Sequence, residues 1–165
     1  MKSRTDIKKI KPKRHVTVSG VYKPRNASKY VGDITKVIYR SSYERKFCIF
    51  CDTAQKIRKW SSEPFAIQYV SPIDKKIHEY FIDFWVKIEQ DNGIIEEFLI
   101  EVKPKALLKK PEAPSKNTLK QIKIYNEKAK TYLINAAKFA AAKSFAAKRG
   151  CKFLIVTEDF LFNNK

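Results

Sequence analysis

The sequence predicts a single α/β domain, a mixed sheet flanked by helices with the element order α-β-β-β-α-β. A length of 165 residues suits one domain and is too short for two independent cores. Segments with the two-residue period of strands lie between segments with helical periodicity. An apolar content of 44% is enough for a buried core and excludes wholesale disorder.

The first helix is predicted over residues 42–54. Ser41 or Ser42 is a suitable N-cap, and apolar residues follow at helical spacing: Tyr43, Phe47, Phe50 and Cys51. The first strand is predicted over 65–70, where a short apolar run precedes a turn at 71–75. The second strand is predicted over 77–89, because two sets of residues alternate along it. One face would carry Tyr80, Ile82, Phe84, Val86 and Ile88, and the other Phe81, Asp83, Trp85 and Lys87.

The third strand is predicted over 94–103, joined to the second by the turn 91–93. Residues 104–117 contain three prolines and form a loop, in which Lys105, Lys109 and Lys110 are candidates for DNA contacts. Residues 118–149 lack Pro and Gly and predict one long helix, or two with a kink, ending at Gly150. A fourth strand over 152–157 and a short tail follow.

The chain is strongly basic, with 35 Lys and Arg residues, 17 Asp and Glu residues and a formal net charge of +18. Such a surplus supports sequence-independent binding to nucleic acid through counterion release. The basic residues lie in tails and loops rather than on an amphipathic helix with aromatic anchors, which favours nucleic acid over a membrane surface. No apolar run approaches the ~20 residues of a membrane span, and no secretory signal is visible. We therefore expect a soluble intracellular protein.

Residues 1–25 are predicted to form a flexible basic arm, and residues 26–165 the domain. The arm has nine Lys and Arg residues, one acid and no hydrophobic period. The alternative is a solubilising tail. Its candidates for contacts with the DNA backbone are Lys8, Lys9, Lys11, Lys13 and Arg14.

Two acids interrupt the apolar pattern of the hairpin. If residues 91–93 form a three-residue loop with Gly93 in the left-handed position, Asp83 lies across from Glu101 and one face becomes uniformly apolar. A two-residue turn would instead place Asp83 on the apolar face. Lys103 shares the face of Glu101 because residues two apart on a strand point the same way.

Carboxylates this close repel unless a cation compensates, and oxygen ligation suits Mg²⁺ or Mn²⁺. A lysine beside them could orient or deprotonate a water molecule, or neutralise transition-state charge. With a basic surface, this combination indicates phosphodiester hydrolysis. The alternative is an ion-pair ladder on a half-exposed sheet, since acids at solvent-facing strand positions are ordinary.

The order of these residues resembles a known nuclease superfamily. Asp83, followed by Glu101 and Lys103, resembles the D…ExK core of the PD-(D/E)xK nucleases. More closely, residues 42–47, 60–69 and 80–84 resemble the N-terminal endonuclease domain of TnsA-type transposition proteins. Closer again, residues 20–160 resemble the head completion nucleases of large T-even-like contractile-tailed phages. The segments that carry this last resemblance are 23–30, 39–42, 69–76, 137–141 and 149–150.

The resemblance implies a role for each matching residue. Asp83 and Glu101 would hold the metal with the backbone carbonyl of Val102, Lys103 would act on the nucleophilic water, and Glu44 would complete the catalytic set. Glu63 and Gln68 are lesser, supporting candidates. The family usually has Pro before the aspartate, whereas this chain has Ile82.

The function implied is a Mg²⁺-dependent endonuclease acting on double-stranded DNA in phage head completion. Its partners would be DNA and phage head or neck proteins, with no membrane. Its location would be the cytoplasm of the infected bacterial host, or the virion. Two alternatives stay open: a catalytically idle DNA-binding component of the head or neck, and the endonuclease subunit of a transposition system.

Overall fold

The structure is a computed structural model that describes residues 18–163. Its strands and helices are β1 (Gly20–Val21), β2 (Ile38–Tyr39), α1 (Ser42–Thr53), β3 (Ile57–Ser62), β4 (Ala66–Val70), β5 (Ile77–Phe81), β6 (Phe84–Glu89), β7 (Ile95–Val102), α2 (Leu119–Lys148), β8 (Lys152–Val156) and α3 (Glu158–Asn163). Short 3₁₀ helices occupy Ala27–Lys29, Ile34–Lys36 and Lys105–Leu108. The predicted α/β class, with a mixed sheet and flanking helices, is confirmed.

The main sheet has four strands in the order β3-β6-β7-β8. The first three are antiparallel, and β8 joins β7 in parallel after the α2 crossover. Even-numbered residues of β6 and β7, such as Phe84 and Ile100, pack in one core cluster with α1. Leu99 packs in a second cluster with Ala142 and Ala146 of α2. The sheet is therefore the middle of three layers.

The predicted second strand is in fact two strands, so the prediction of one strand with a single apolar face was wrong. β5 pairs with β4 in a separate hairpin, whereas β6 belongs to the main sheet. The chain changes course because the Ile82 N–H donates to the Phe65 carbonyl at 3.2 Å and the Asp83 carbonyl accepts from the Glu63 N–H at 2.9 Å. As a result, Ile82 packs on the α2 side and Phe84 on the α1 side.

The predicted register of the β6–β7 hairpin is confirmed from Phe84 to Glu89, and the ladder ends before the predicted pair of Asp83 with Glu101. Phe84 pairs with Ile100 and Val86 with Phe98. Gly93 adopts a φ of 80°, the left-handed conformation that a three-residue hairpin loop requires. The register keeps the apolar set on the face that α1 covers.

The other differences concern elements with weak patterns. The prediction lacked β3, whose burial does not alternate because a register shift separates Ile57 from Lys59. It also treated the α3 segment as a tail. By contrast, the long helix is a single 30-residue helix with Thr118 as N-cap and Gly150 at a φ of 69°. Within residues 18–163, neither this helix nor any other is both long and apolar enough to cross a membrane.

Residues 18–25, the described part of the predicted arm, pack against the domain. β1 pairs with β2, and the Tyr22 hydroxyl donates to Asp52 Oδ2 at 2.8 Å. The backbone N–H groups of Arg25 and Asn26 donate to the same carboxylate at 2.7 and 2.9 Å. The candidate arm residues Lys8, Lys9, Lys11, Lys13 and Arg14 lie outside the described residues. The division into arm and domain stays a prediction.

Asp52 is expected to be a major source of stability. It is fully buried in the last turn of α1, where a carboxylate opposes the helix dipole. Burial alone would raise its pKa, but the donors from Arg25, Asn26 and Tyr22 hold the pKa below its ordinary value. We expect Asp52→Asn to lower the free energy of unfolding by about 2–3 kcal/mol at neutral pH, measured by urea denaturation.

The exposed Asp91→Asn serves as the matched control for Asp52→Asn. Because the pKa of Asp52 is depressed on folding, its contribution is present above the unfolded pKa and is lost as the pH falls through the folded pKa. The difference between the Asp52→Asn variant and the parent should therefore shrink in acid. Equal midpoints for the parent and Asp52→Asn at neutral pH would contradict the assigned role.

Candidate active site

Asp83 and Glu101 come together where the β6–β7 ladder ends, one residue before β6 and one before the end of β7. The last ladder pair is Phe84 with Ile100. The side chain of Asp83 then takes the place of a further pair, because its Oδ2 accepts the Val102 N–H at 2.7 Å. This bond fixes one carboxylate against the strand that carries the other.

Glu101 is a buried acid with only 3% of its surface exposed. Its Oε1 accepts a hydrogen bond from Lys103 Nζ at 2.9 Å. Its Oε2 is buried and has no hydrogen-bond partner among the described residues. Burial raises the pKa of Glu101, and the neighbouring Lys103 offsets that rise only in part. The site thus holds a carboxylate oxygen ready for a further ligand.

Asp83 shares this environment. Burial raises its pKa well above the ordinary range, and the charges of Glu101 and Glu44 raise it further. The Val102 N–H and Lys103 act in the opposite direction without cancelling the effect. Two acids with raised pKa values in one buried site need a proton or a cation between them.

Lys103 follows β7, and its backbone N–H donates to the Val156 carbonyl of β8 at 2.9 Å. Its side chain is 24% exposed, so it reaches from the buried pair toward solvent. Burial would lower the pKa of Lys103, but the charges of Glu101 and Asp83 raise it above its ordinary value. The raised pKa favours the protonated form of Lys103.

Glu44 lies beside the pair, and both of its carboxylate oxygens accept hydrogen bonds from residues just before α1. Its Oε1 accepts from the Ser41 hydroxyl at 2.9 Å and its Oε2 from the Arg40 N–H at 2.6 Å. The Ser41 hydroxyl in turn accepts the Glu44 N–H at 3.1 Å, as in a capping box. The carboxylate is close enough to raise the pKa of Asp83, so it adds negative charge to the site.

The two supporting candidates lie in different places. Glu63 accepts two hydrogen bonds from Arg40, at 2.5 and 3.1 Å, and its N–H holds the Asp83 carbonyl. It adopts a φ of 46°, a left-handed conformation imposed at the chain's bend. Gln68 is exposed on β4 and donates to Glu79 at 3.2 Å, on the separate hairpin. The structure therefore places the backbone of Glu63 beside Asp83, with its carboxylate on Arg40, and gives Gln68 a contact elsewhere.

The carboxylates suit a divalent cation. Between residues 18 and 163 the structure shows no group of three or more His, Cys, Asp and Glu side chains in metal-binding proximity. The unpaired Glu101 Oε2 and the raised pKa values of Glu101 and Asp83 are nevertheless what an oxygen-ligated cation would relieve. The third predicted ligand, the Val102 carbonyl, belongs to the residue whose N–H binds Asp83.

The departure at Ile82 has a structural explanation. Its N–H donates to the Phe65 carbonyl, a bond that proline could not form. Its side chain is fully buried in the cluster with Leu99 and α2. Ile82 therefore fixes the bend before Asp83 through a hydrogen bond and side-chain packing, where the family usually has a proline.

The predicted DNA-binding lysines of the loop differ in their surroundings. Lys105 is bonded to α3: its Nζ lies 2.5 Å from Asp159, and its backbone N–H donates to the Glu158 carboxylate. Lys109 and Lys110 are exposed and line a groove of about 400 Å³ against α2, together with Lys128. Contacts with DNA at all three positions stay predictions.

Two residues outside the predicted set stand near the carboxylates. Burial raises the pKa of Tyr80, and the charges of Glu101 and Asp83 raise it further. Lys138 of α2 is also within electrostatic reach of both acids. Sequence alone left two roles open for Lys138, a phosphate contact or a solvated helix lysine, and it is the α2 crossover that brings it to this face of the sheet.

Comparison with known proteins identifies the family of the chain. Residues 54–158 match the family described as TnsA-like endonuclease N terminal, a range that includes Asp83, Glu101 and Lys103. The chain is also 40% identical over 143 residues to the head completion nuclease of Enterobacteria phage T4, covering 87% of this chain and 93% of that protein. The resemblance seen in the sequence is confirmed, and the chain belongs to the TnsA-like N-terminal endonuclease family.

Proposed function

We propose that this chain is a divalent-metal-dependent DNA endonuclease that completes phage heads by processing DNA at the filled capsid before tail attachment. The observation that carries the proposal is the buried Glu101 carboxylate beside Asp83 and Lys103, with one oxygen that has no hydrogen-bond partner within residues 18–163. The family match supports endonuclease activity, and the name of the phage T4 relative supports the role in head completion.

Asp83 and Glu101 would hold Mg²⁺ or Mn²⁺, with the Val102 carbonyl as a further ligand. Such an ion supplies Lewis-acid stabilisation of phosphate charge and lowers the pKa of water. The protein's part is to present two fixed oxygens: the Val102 N–H orients Asp83, and Lys103 orients Glu101. Glu44 contributes negative charge beside them.

Lys103 would stabilise the negative charge that develops on the phosphate during cleavage. Its raised pKa keeps it protonated at neutral pH, which favours this role over that of a general base. Its partial exposure leaves it reachable from the cleft. It also acts to lower the pKa of Glu101, which partly offsets burial and favours the ionised form that binds a cation.

The substrate would be double-stranded DNA, held through its backbone by distributed lysines. The formal net charge of +18 supports binding without sequence preference. Exposed Lys109 and Lys110 beside α2 are candidates for these contacts, as are the residues of the basic arm. Phage head or neck proteins would be its protein partners, in the infected cell or in the virion.

The test is digestion of linear and supercoiled DNA with and without Mg²⁺, comparing wild type with Lys103→Met. We expect metal-dependent cleavage that falls by roughly 100- to 1,000-fold in the variant, because a charge aimed at the transition state is lost. Lys56→Met is the matched control. It removes an equal charge at the far end of the hairpin, where Lys56 pairs with Asp91, and should keep wild-type activity.

Three outcomes separate the alternatives. Cleavage by wild type and Lys56→Met but not by Lys103→Met supports the proposal. Tight, salt-sensitive binding without cleavage under Mg²⁺ or Mn²⁺ would instead identify a catalytically idle DNA-binding head component. Equal cleavage by all three proteins would place the chemistry away from Lys103.

A further inference from the structure

We propose that Lys138 of α2 is a phosphate-binding residue beside the two carboxylates, taking a nonbridging oxygen of the DNA strand. The inference rests on the proposed nuclease function and adds one residue to its DNA-contacting set.

Lys138 lies on the face of α2 that packs against the sheet. Ala142 and Ala146 are buried against Ile82 and Leu99, so this face of α2 lies close to the sheet. Lys138 lies one turn before Ala142 on the same face. The Tyr80 hydroxyl donates to the Lys138 carbonyl at 2.9 Å, which fixes the helix at this level. The helix therefore directs Lys138 to the part of the sheet surface that carries the acids.

Two tyrosine rings support the side chain of Lys138. Its Nζ lies 5.1 Å from the centroid of the Tyr80 ring and 5.5 Å from that of Tyr69. Two aromatic faces stabilise an ammonium group and restrict its motion without consuming its hydrogen bonds to an anion. Tyr69 and Tyr80 pack edge to face at 5.8 Å, so the support is itself rigid.

Three charged side chains act on the ammonium group of Lys138. Burial lowers the pKa of Lys138 and Lys103 lowers it further, whereas Glu101 and Asp83 raise it. All three charged neighbours therefore lie within reach of Lys138.

The two lysines near the acids differ in their hydrogen-bond partners. Lys103 is bonded to Glu101 at 2.9 Å, whereas within residues 18–163 Lys138 forms no ion pair with a carboxylate. Because no carboxylate among residues 18–163 pairs with Lys138, its ammonium group can bind an incoming phosphate in addition to the charge that Lys103 supplies. A strand lying between α2 and the carboxylates would meet Lys138 on one side and the acids on the other.

The test is the affinity of Lys138→Met for duplex DNA in EDTA, measured across a range of salt concentrations. Loss of one phosphate contact should weaken binding roughly tenfold and reduce the slope of log K against log salt by about 0.9. Lys138→Arg should keep the slope. Lys143→Met, an exposed lysine of the same helix, is the matched control and should show a smaller change in affinity.

Kinetics with Mg²⁺ provide the second readout. We expect Lys138→Met to raise KM more than it lowers kcat, because substrate binding is lost. Should Lys138→Met fail to fold, Lys138→Gln takes its place. A wild-type salt slope and KM in a folded variant would overturn the assignment of Lys138 and leave the nuclease proposal standing. Absence of cleavage by wild type would overturn the nuclease proposal, while the slope in EDTA still decides whether Lys138 contacts DNA.

Discussion

Replacing Asp83 with asparagine is expected to reduce DNA cleavage by at least about a thousandfold while leaving DNA affinity within about twofold of wild type. Asparagine retains an oxygen that can accept the Val102 N–H, so the bend before β6 should persist. It removes the negative charge that a catalytic cation would need. Binding should be unaffected because it depends on lysines spread over the surface.

The measurement pairs a cleavage assay in Mg²⁺ with a binding assay in EDTA. Asp91→Asn, in the exposed hairpin turn, is the control for the loss of one acid and should cleave as wild type does. If Asp83→Asn loses binding together with cleavage, Asp83 organises the DNA site as a whole. That result would refute the separation of binding from chemistry.

Replacing Glu101 with glutamine is expected to abolish cleavage and also to stabilise the metal-free protein. The pKa of Glu101 is raised even though Lys103 lies beside it, so its surroundings as a whole disfavour the carboxylate. Glutamine has the same shape, carries no charge and can donate to its surroundings. We expect the free energy of unfolding at pH 8 in EDTA to rise by about 1–2 kcal/mol, the usual penalty of a buried unpaired polar group.

The raised pKa values also predict how the free energy of unfolding changes with pH. Because folding raises the pKa values of Glu101 and Asp83, the folded state binds more protons than the unfolded chain between the unfolded and folded pKa values. Stability of wild type should therefore fall as the pH rises through this window, and Glu101→Gln should reduce that fall.

Urea denaturation at several pH values measures the effect on the free energy of unfolding. Glu97 lies on the same face of β7, but its pKa is lowered: burial raises it, and Lys87 and Trp85 more than compensate. Glu97→Gln should thus give no gain in stability. A Glu101→Gln protein that is less stable than wild type at pH 8 would show that the pair with Lys103 is net stabilising.

The parts of the site that the sequence predicts are those encoded within one hairpin. Apolar alternation and Gly93 were sufficient to select the register of β6 and β7, and Glu101 and Lys103 follow from it. The bend at Asp83 was not predictable in the same way. It depends on hydrogen bonds to Glu63 and Phe65, which come from another part of the chain.

The same distinction explains the other differences. β3 shows no clean alternation because its register shifts between Ile57 and Lys59. The environment of Asp52 depends on hydrogen bonds from residues 22–26, and the sequence signal for it is an acid placed against the helix dipole. Lys138 reaches the site only through the packing of α2 on the sheet, which no local pattern encodes.

The parallel pairing of β7 with β8 has a consequence for how the protein is made. The Lys103 N–H is held by the Val156 carbonyl, and the 30-residue helix α2 lies between the two strands in the sequence. During synthesis, the strand with Glu101 and Lys103 leaves the ribosome before either α2 or β8 exists. The edge of β7 that carries these residues therefore stays open until residue 156 has been made, and the surroundings of the two acids are completed last.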